Sequence, residues 1–220
     1  MIRAFVFCVT LLWGVLSTLC VKAQESYNKV ALGFESLHIT YDEDPTDVTK
    51  GISLGYAHGF GLSANVPLFI ETGARLAWTH SVTHRNEWPS STEKFDFLSV
   101  SLPADFGYKF NFFSDNVGLM LFTGPNFRFN VIGRRQKTMG SDVKHYDSEN
   151  FMKRNTDYAA NIFQFGWRLG ATVSHGPFCV GYALTYDFTN YRDVMAGNSF
   201  TKHFGEQKTA SHSLTVGYTF

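Results

Sequence analysis

From Lys29 onward the chain is written in a period of two. In the carboxyl-terminal SHSLTVGYTF, Leu214, Val216, Tyr218 and Phe220 share one face of an extended strand, while Ser213, Thr215, Gly217 and Thr219 share the other. No polar residue interrupts the apolar face, and a strand ending on an aromatic ring suits a last strand that closes a sheet against the first. Earlier segments repeat the pattern. Val30, Leu32 and Phe34 oppose Ala31, Gly33 and Glu35. Between Gly51 and Leu62, Ile52, Leu54, Tyr56 and Phe60 oppose a face that is nearly bare of side chains. Leu68, Ile70, Ala74, Leu76 and Trp78 oppose Glu71, Gly73, Arg75 and Ala77. The cleanest run sets Leu98, Val100, Leu102, Ala104, Phe106, Tyr108 and Phe110 against Ser99, Ser101, Pro103, Asp105, Gly107 and Lys109. Pro103 cannot donate to a ladder, so a bulge or broken pairing is expected there. Further strands are predicted over Val117 to Val131, Asn161 to Val173 and Phe178 to Phe188.

The connections alternate in length. Asp42 to Thr49, Val82 to Lys94, Arg134 to Asp157 and Asn190 to Ala210 are long and polar; Ser63 to Pro67, Asn111 to Asn116 and His175-Gly176-Pro177 are short. Eight strands joined in this way predict an all-β fold, an eight-stranded antiparallel up-and-down transmembrane β-barrel. A soluble sandwich or ligand-carrying barrel would turn the apolar face inward. A barrel of this size has little interior room, so the face rich in Gly, Ala, Ser and Thr belongs inside and the bulky face meets lipid.

The charges follow the same division. Glu35, Glu71, Asp105 and Asp187, with Arg75, Lys109, Arg128 and Arg168, fall on the small-residue face, predicting a lumen charge network that plugs the interior. A charge on the lipid face near midplane would cost roughly 2 to 4 kcal/mol, and none is placed there. His58 fits the outer face poorly and marks a register slip or a bulge near Gly59. Tyr56, Trp78, Tyr108, Trp167, Tyr186 and Tyr218 are candidates for aromatic girdles.

The first residues differ from all of this. Arg3, the apolar run from Ala4 to Val21, and Val21-Lys22-Ala23 before Gln24 read as a secretory signal peptide, residues 1–23, leaving a barrel domain of residues 24–220. The run is short for a retained anchor. Leu19 is too bulky to precede a lipidated Cys20. Removing the leader leaves Cys179 as the one cysteine, so there is no disulfide framework, and a small packed residue is the plain reading of it. Nineteen Lys plus Arg balance nineteen Asp plus Glu, which argues against a nucleic-acid partner.

The segments VALGFES, LSANVPLFIETGARL, FLSVSLPADFGYKF, TGPNF and SLTVGYTF together resemble the outer-membrane protein β-barrel domain family, small barrels of Gram-negative bacteria often labelled porin-family proteins. The resemblance covers nearly all of the chain after the leader. It implies residence in the cell outer membrane, contact with outer-membrane lipid, and handling by the barrel-assembly machinery. Leu214, Val216, Tyr218 and Phe220 are similar to the carboxyl-terminal membrane-insertion signal which that machinery reads. The resemblance specifies architecture better than activity.

The function expected is a non-enzymatic barrel whose external loops serve envelope integrity, adhesion or contact with an extracellular partner. Arg134, Arg135, Lys137, Tyr146, Lys153 and Arg154 are loop candidates for such contacts, although a solvated charge run explains any one of them. A small pore or a protein-secretion accessory is one alternative, with Glu71/Arg75 and Asp105/Lys109 lining a passage. An envelope-lipid-modifying enzyme is another. For that, Ser211-His212-Ser213 offers a nucleophile and a base, but neighbouring strand residues point to opposite faces, and Leu214 stands where a His-x-Ser arrangement would need serine. His80 and His84 lack further metal partners, and Asp42, Glu43, Asp44 and Asp47 lack the glycine and distal glutamate of a calcium loop. No catalytic residue, metal site or cofactor is assigned.

Overall fold

The structure, a computed structural model, describes residues 26–40, 47–62, 67–85, 91–112, 117–139, 149–150, 161–189 and 208–220. The segment expected to be a leader, residues 1–23, therefore lies outside the described residues. The strands are β1 (Ser26–Thr40), β2 (Asp47–Gly61), β3 (Leu68–Arg85), β4 (Ser91–Phe112), β5 (Val117–Met139), β6 (Glu149–Asn150), β7 (Phe163–His175), β8 (Phe178–Asp187) and β9 (Lys208–Thr219). Each long strand pairs antiparallel with its neighbours, β4 also pairs β5, and β1 pairs β9, so eight strands form a closed barrel. The two residues of β6 add to the outer end of β5. Closure continues to the last residue, where the Asn28 and Phe220 backbones exchange two hydrogen bonds of 2.9 Å.

The register fixes the tilt. A ladder row that starts at Ser26 passes Phe60, Ile70, Phe106, Thr123, Leu169, Leu184 and His212 and returns to β1 at Ser36, ten residues beyond its start. Strands offset this far in one circuit lie steeply across the barrel axis and enclose a narrow interior. The two faces then separate as the period of two requires. Leu32, Ile52, Leu169, Val216 and Phe220 are each more than half exposed, whereas Glu71, Asp105, Arg128 and Asp187 are buried.

The interior is not filled by small residues alone. Phe69, Phe97, Met120 and Phe122 also point inward. Glycines opposite them make the room: a Cβ on Gly107 would sit 3.1 Å from the Met120 sulfur, and one on Gly170 would sit 2.4 Å from the Phe122 ring. Large and small inward residues thus alternate across neighbouring strands.

The strands run further than the sequence pattern predicts at the end with long connections. Asp47 to Thr49 belong to β2, and Lys208 to Ala210 belong to β9. Val82 to Arg85 pair with Ser91 to Lys94, which pair in turn with Gln136 to Met139. The expected loop at 82–94 is therefore mostly a hairpin, and the polar stretch after Gly133 continues β5. The hydrophobic repeat fades there, as it does in strand that continues past the lipid-facing band. A membrane strand needs only about 9–11 residues, so this three-stranded ribbon of β3, β4 and β5 rises beyond the bilayer.

Pro103 does interrupt pairing: β3 and β4 are in register at Thr72/Ala104 and again at Arg75/Ser101, but not between. Thr72 instead donates from Oγ1 to the Pro103 carbonyl at 3.1 Å. The register shift lies elsewhere, between Leu98 and Ser99 against β5. His58 needs no slip or bulge. It sits on the outer face at the short-turn end, with Nδ1 2.9 Å from Asn28 Oδ1 and its ring edge-on to Phe60.

A Cβ at Gly73 would lie 2.0 Å from the Tyr56 carbonyl, while one at Gly55 would find only ordinary contacts, beginning at 3.7 Å. Gly73→Ala should therefore destabilise the barrel by about 1–3 kcal/mol and so lower its urea midpoint, and Gly55→Ala should leave the midpoint nearly unchanged. The fraction of fast-migrating, unboiled protein on SDS gels across a urea series measures both.

Candidate functional site

The lumen concentrates the buried polar chemistry of the described residues. Glu71 of β3 stands opposite Asp105 of β4 in the ladder. Two adjoining carboxylates repel unless each meets a cation, and they are met from different strands. Lys29 Nζ lies 2.5 and 2.6 Å from the Glu71 oxygens, and the Tyr27 hydroxyl donates to Glu71 Oε2 at 2.8 Å. Arg168, from β7, reaches across to Asp105, with its guanidinium carbon 4.7 Å above the Phe122 ring.

Further up, Arg75 Nη1 donates to Glu35 Oε1 at 2.9 Å. Arg128 donates to Asp187 Oδ2 at 2.8 Å and to Ser211 Oγ at 2.7 Å. The network continues through neutral groups, with Thr209 Oγ1 donating to Asp187 at 2.6 Å and Gln164 Nε2 donating to Thr209 at 2.8 Å. Asp187, Gln164 and Thr209 are at most 1% exposed. Charges this deep persist only with hydrogen-bonded partners, because desolvation otherwise exceeds the attraction.

All of the charged residues expected in the lumen face it, but their partners differ from the within-strand groupings. Glu71 is joined to Lys29 and not to Arg75; Asp105 is joined to Arg168 and not to Lys109. Strand residues four apart share a face yet lie too far along it to touch, whereas neighbouring strands bring side chains within reach. Lys29, Tyr27, Gln164 and Thr209 complete the network without having been singled out. Lys29 has the parity of Glu35 on the same strand, so extending the alternation back would have found it; the others look like ordinary strand residues.

Lys109 stands apart at the short-turn mouth. With Lys29, Glu71, Met120 and Cys179 it lines a cavity of about 270 Å³. A cavity of about 30 Å³ lies further up, between Glu35, Arg75 and Arg128. On β4 the lower cavity is bordered by Lys109 and the upper by Ser101, with Asp105 between; on β5 Met120 and Asn126 play those parts, with Phe122 between. The Asp105–Arg168–Phe122 layer thus separates the two spaces. Cys179 is a free, buried thiol in the lower one.

The other candidates are spread apart. Ser211 and Ser213 are buried in the lumen, while His212 faces outward with Nδ1 2.6 Å from the Tyr182 hydroxyl. His80 Nδ1 lies 2.8 Å from Asp96 Oδ1 on the exposed surface. No group of three or more potential metal ligands occurs among the described residues. Arg134, Arg135 and Lys137 lie on the outer extension of β5, and Tyr146, Lys153 and Arg154 lie outside the described residues. Leu214, Val216, Tyr218 and Phe220 all point outward from the closing edge, each about half exposed or more.

No protein-family model matches the chain. No curated protein matches it either. Among solved structures it is similar to Ail, the attachment invasion locus protein of Yersinia pestis, with 14% identity and a TM-score of 0.47 over 90% of this chain and 100% of that one. It is also similar to a major outer membrane protein from Thermus thermophilus, at 15% identity and a TM-score of 0.44 over 87% and 99%. Neisserial surface protein A follows, at 13% identity and a TM-score of 0.43 over 88% and 97%.

The setting follows from the closed ladder and its apolar outside. A sheet with no open edge in its spanning part and a continuous band of Leu, Ile, Val, Phe, Tyr and Trp outside is matched to hydrocarbon. The chain is an integral outer-membrane β-barrel. In barrels of that membrane the short turns lie on the periplasmic side and the long loops outside.

Arg128→Met should destabilise the barrel by about 3–5 kcal/mol because Asp187 is left buried and unpaired. Combining it with Asp187→Leu should recover most of that loss. A double-mutant cycle of unfolding free energies in detergent micelles measures the coupling.

Proposed function

We propose that the protein is a non-enzymatic outer-membrane barrel with a plugged lumen, whose outward-facing end serves envelope integrity, adhesion or contact with an extracellular partner. The observation that supports this best is the Asp105–Arg168 pair packed on Phe122, which stands between the two lumen cavities. A charge pair of this kind closes a narrow tube while setting a cation against the buried carboxylate that closes it. The strand extensions then provide the surface that protrudes from the membrane. Ail has been crystallised in complex with the heparin analogue sucrose octasulfate; an extracellular ligand met at the outer end is our reading for this chain as well.

The small-pore reading has one observation in its favour, the lower cavity with Lys109 at its mouth. An enzyme reading gains less, because His212 and its flanking serines occupy opposite faces. The row Leu214, Val216, Tyr218 and Phe220 we assign to assembly, as the edge that the insertion machinery engages before β1 takes its place.

In planar bilayers the protein should give no steady conductance, and Asp105→Gly combined with Arg168→Gly should open a measurable one. Steady conductance by the unaltered protein would overturn the plug. Tyr218→Ser with Phe220→Ser should slow insertion in cells, seen as accumulation of protease-sensitive chain, yet permit refolding into micelles where no machinery takes part.

A further inference from the structure

The lower cavity carries a cation that nothing around it balances. Glu71 is the one carboxylate bordering that space among the described residues, and Lys29 and the Tyr27 hydroxyl already occupy its oxygens. Lys109, one strand over and nearer the short turns, takes part in no ion pair among those residues. Two ammonium groups thus face one carboxylate, inside low-dielectric walls that strengthen the pull on an anion.

Gly118 shapes a place for that anion. Register sets it, on β5, between Asn111 of β4 and Ser174 of β7. A Cβ on Gly118 would stand 2.7 Å from Ser174 Oγ, 3.2 Å from Lys109 Cε and 3.6 Å from Asn111 Oδ1. A lysine stem, a hydroxyl and a carboxamide therefore converge over a stretch of bare backbone. Ser174 Oγ reaches the Gly118 carbonyl only at 3.4 Å, too long to hold its proton firmly, so the hydroxyl can turn to a better acceptor. Other parts of the wall are apolar: Phe69, the Met120 thioether and the Cys179 thiol border the same space, and the Tyr27 and Phe69 ring centroids lie 6.0 Å apart. Its volume of about 270 Å³ approaches the roughly 300 Å³ at which pockets for small organic ligands begin, and an apolar wall with a few convergent polar groups is their usual lining.

We infer that the lower cavity binds a small molecule that carries one anionic group, a carboxylate or sulfonate, on a compact apolar body. Lys109 and Ser174 take the anion over Gly118, and Phe69, Met120 and Cys179 take the body. The inference goes beyond the plugged-lumen reading but uses it, because the Asp105–Arg168–Phe122 layer is the blind end of the site. Its ligand enters and leaves at the short-turn end, opposite the end proposed to meet an extracellular partner.

Cys179 borders the cavity and so reports on it. The protein is refolded into dodecyl maltoside micelles and treated with a methanethiosulfonate reagent carrying either a sulfonate or a trimethylammonium group. Modification is then read on the Cys179 peptide by mass spectrometry. Relative to the rates at free cysteine, the sulfonate reagent should be favoured about tenfold. 2-Naphthoate should slow both reactions saturably, and acetate, which lacks the apolar body, should not. Lys109→Gln should abolish the charge preference and weaken the protection by 2-naphthoate about tenfold. Gly118→Ala fills the cradle but keeps the charge, so it should abolish the protection and leave the preference. Both variants should retain the fast-migrating gel band. Failure of both reagents to reach Cys179, or equal preference for the two, would overturn the site. A charge preference without saturable protection would reduce the cavity to a charged vestibule and overturn it as well, as would protection that survives both substitutions. Steady conductance in planar bilayers, measured separately, would overturn the blind end and the plug while leaving the protection by 2-naphthoate in place.

Discussion

In hydrocarbon every backbone N–H and C=O must be satisfied by the protein itself. The join of β1 to β9 is where this chain meets that demand. From Lys29/Thr219 to Thr40/Lys208 the first and last strands pair without a break, and the Asn28 and Phe220 backbones extend the seam to the final residue. Without that seam, two of the strands would present unpaired edges to lipid. The tilt, the narrow bore and the division into bulky and small faces all follow from closing this particular ladder with this particular offset.

The narrow bore sets the interior problem. A dry tube would have to be filled with apolar side chains, yet this one carries Glu35, Glu71, Asp105 and Asp187. Each is held by a cation from another strand, so the pairs tie the wall together across the lumen as well as along it. Cross-lumen pairing is costly in desolvation and gives little net stability relative to an apolar filling. Its retention fits an interior shaped to be closed and polar at once.

Much of this was legible in the sequence because a period of two leaves a record in every strand. Leu32, Ile52, Leu76 and Val216 could face only lipid once the small residues opposite them were placed inside. The identity of partners was less legible, since the alternation gives the face of Arg75 or Arg168 but not the neighbour; that depends on register, which the offset of the whole barrel decides. Strand ends were also obscured. Val82 to Arg85 and Arg134 to Met139 are paired strand with a mostly polar sequence, and past the lipid band the hydrophobic repeat that reveals strands elsewhere has no reason to persist. Phe69, Phe97 and Phe122 ran against the rule of small residues inside because glycines on adjacent strands, invisible as partners in a linear reading, hollow out their places.

Among the described residues, the ribbon formed by the outer ends of β3, β4 and β5 extends the ladder furthest and makes a high side. Backbone in that ribbon is already locked into a ladder continuous with the membrane-embedded wall. Whatever meets the high side meets a preorganised relief, so little conformational entropy is lost by the protein on contact. The barrel thus acts as a foundation, and its stiffness in lipid is carried outward as the rigidity of a surface that water, and anything dissolved in it, can reach.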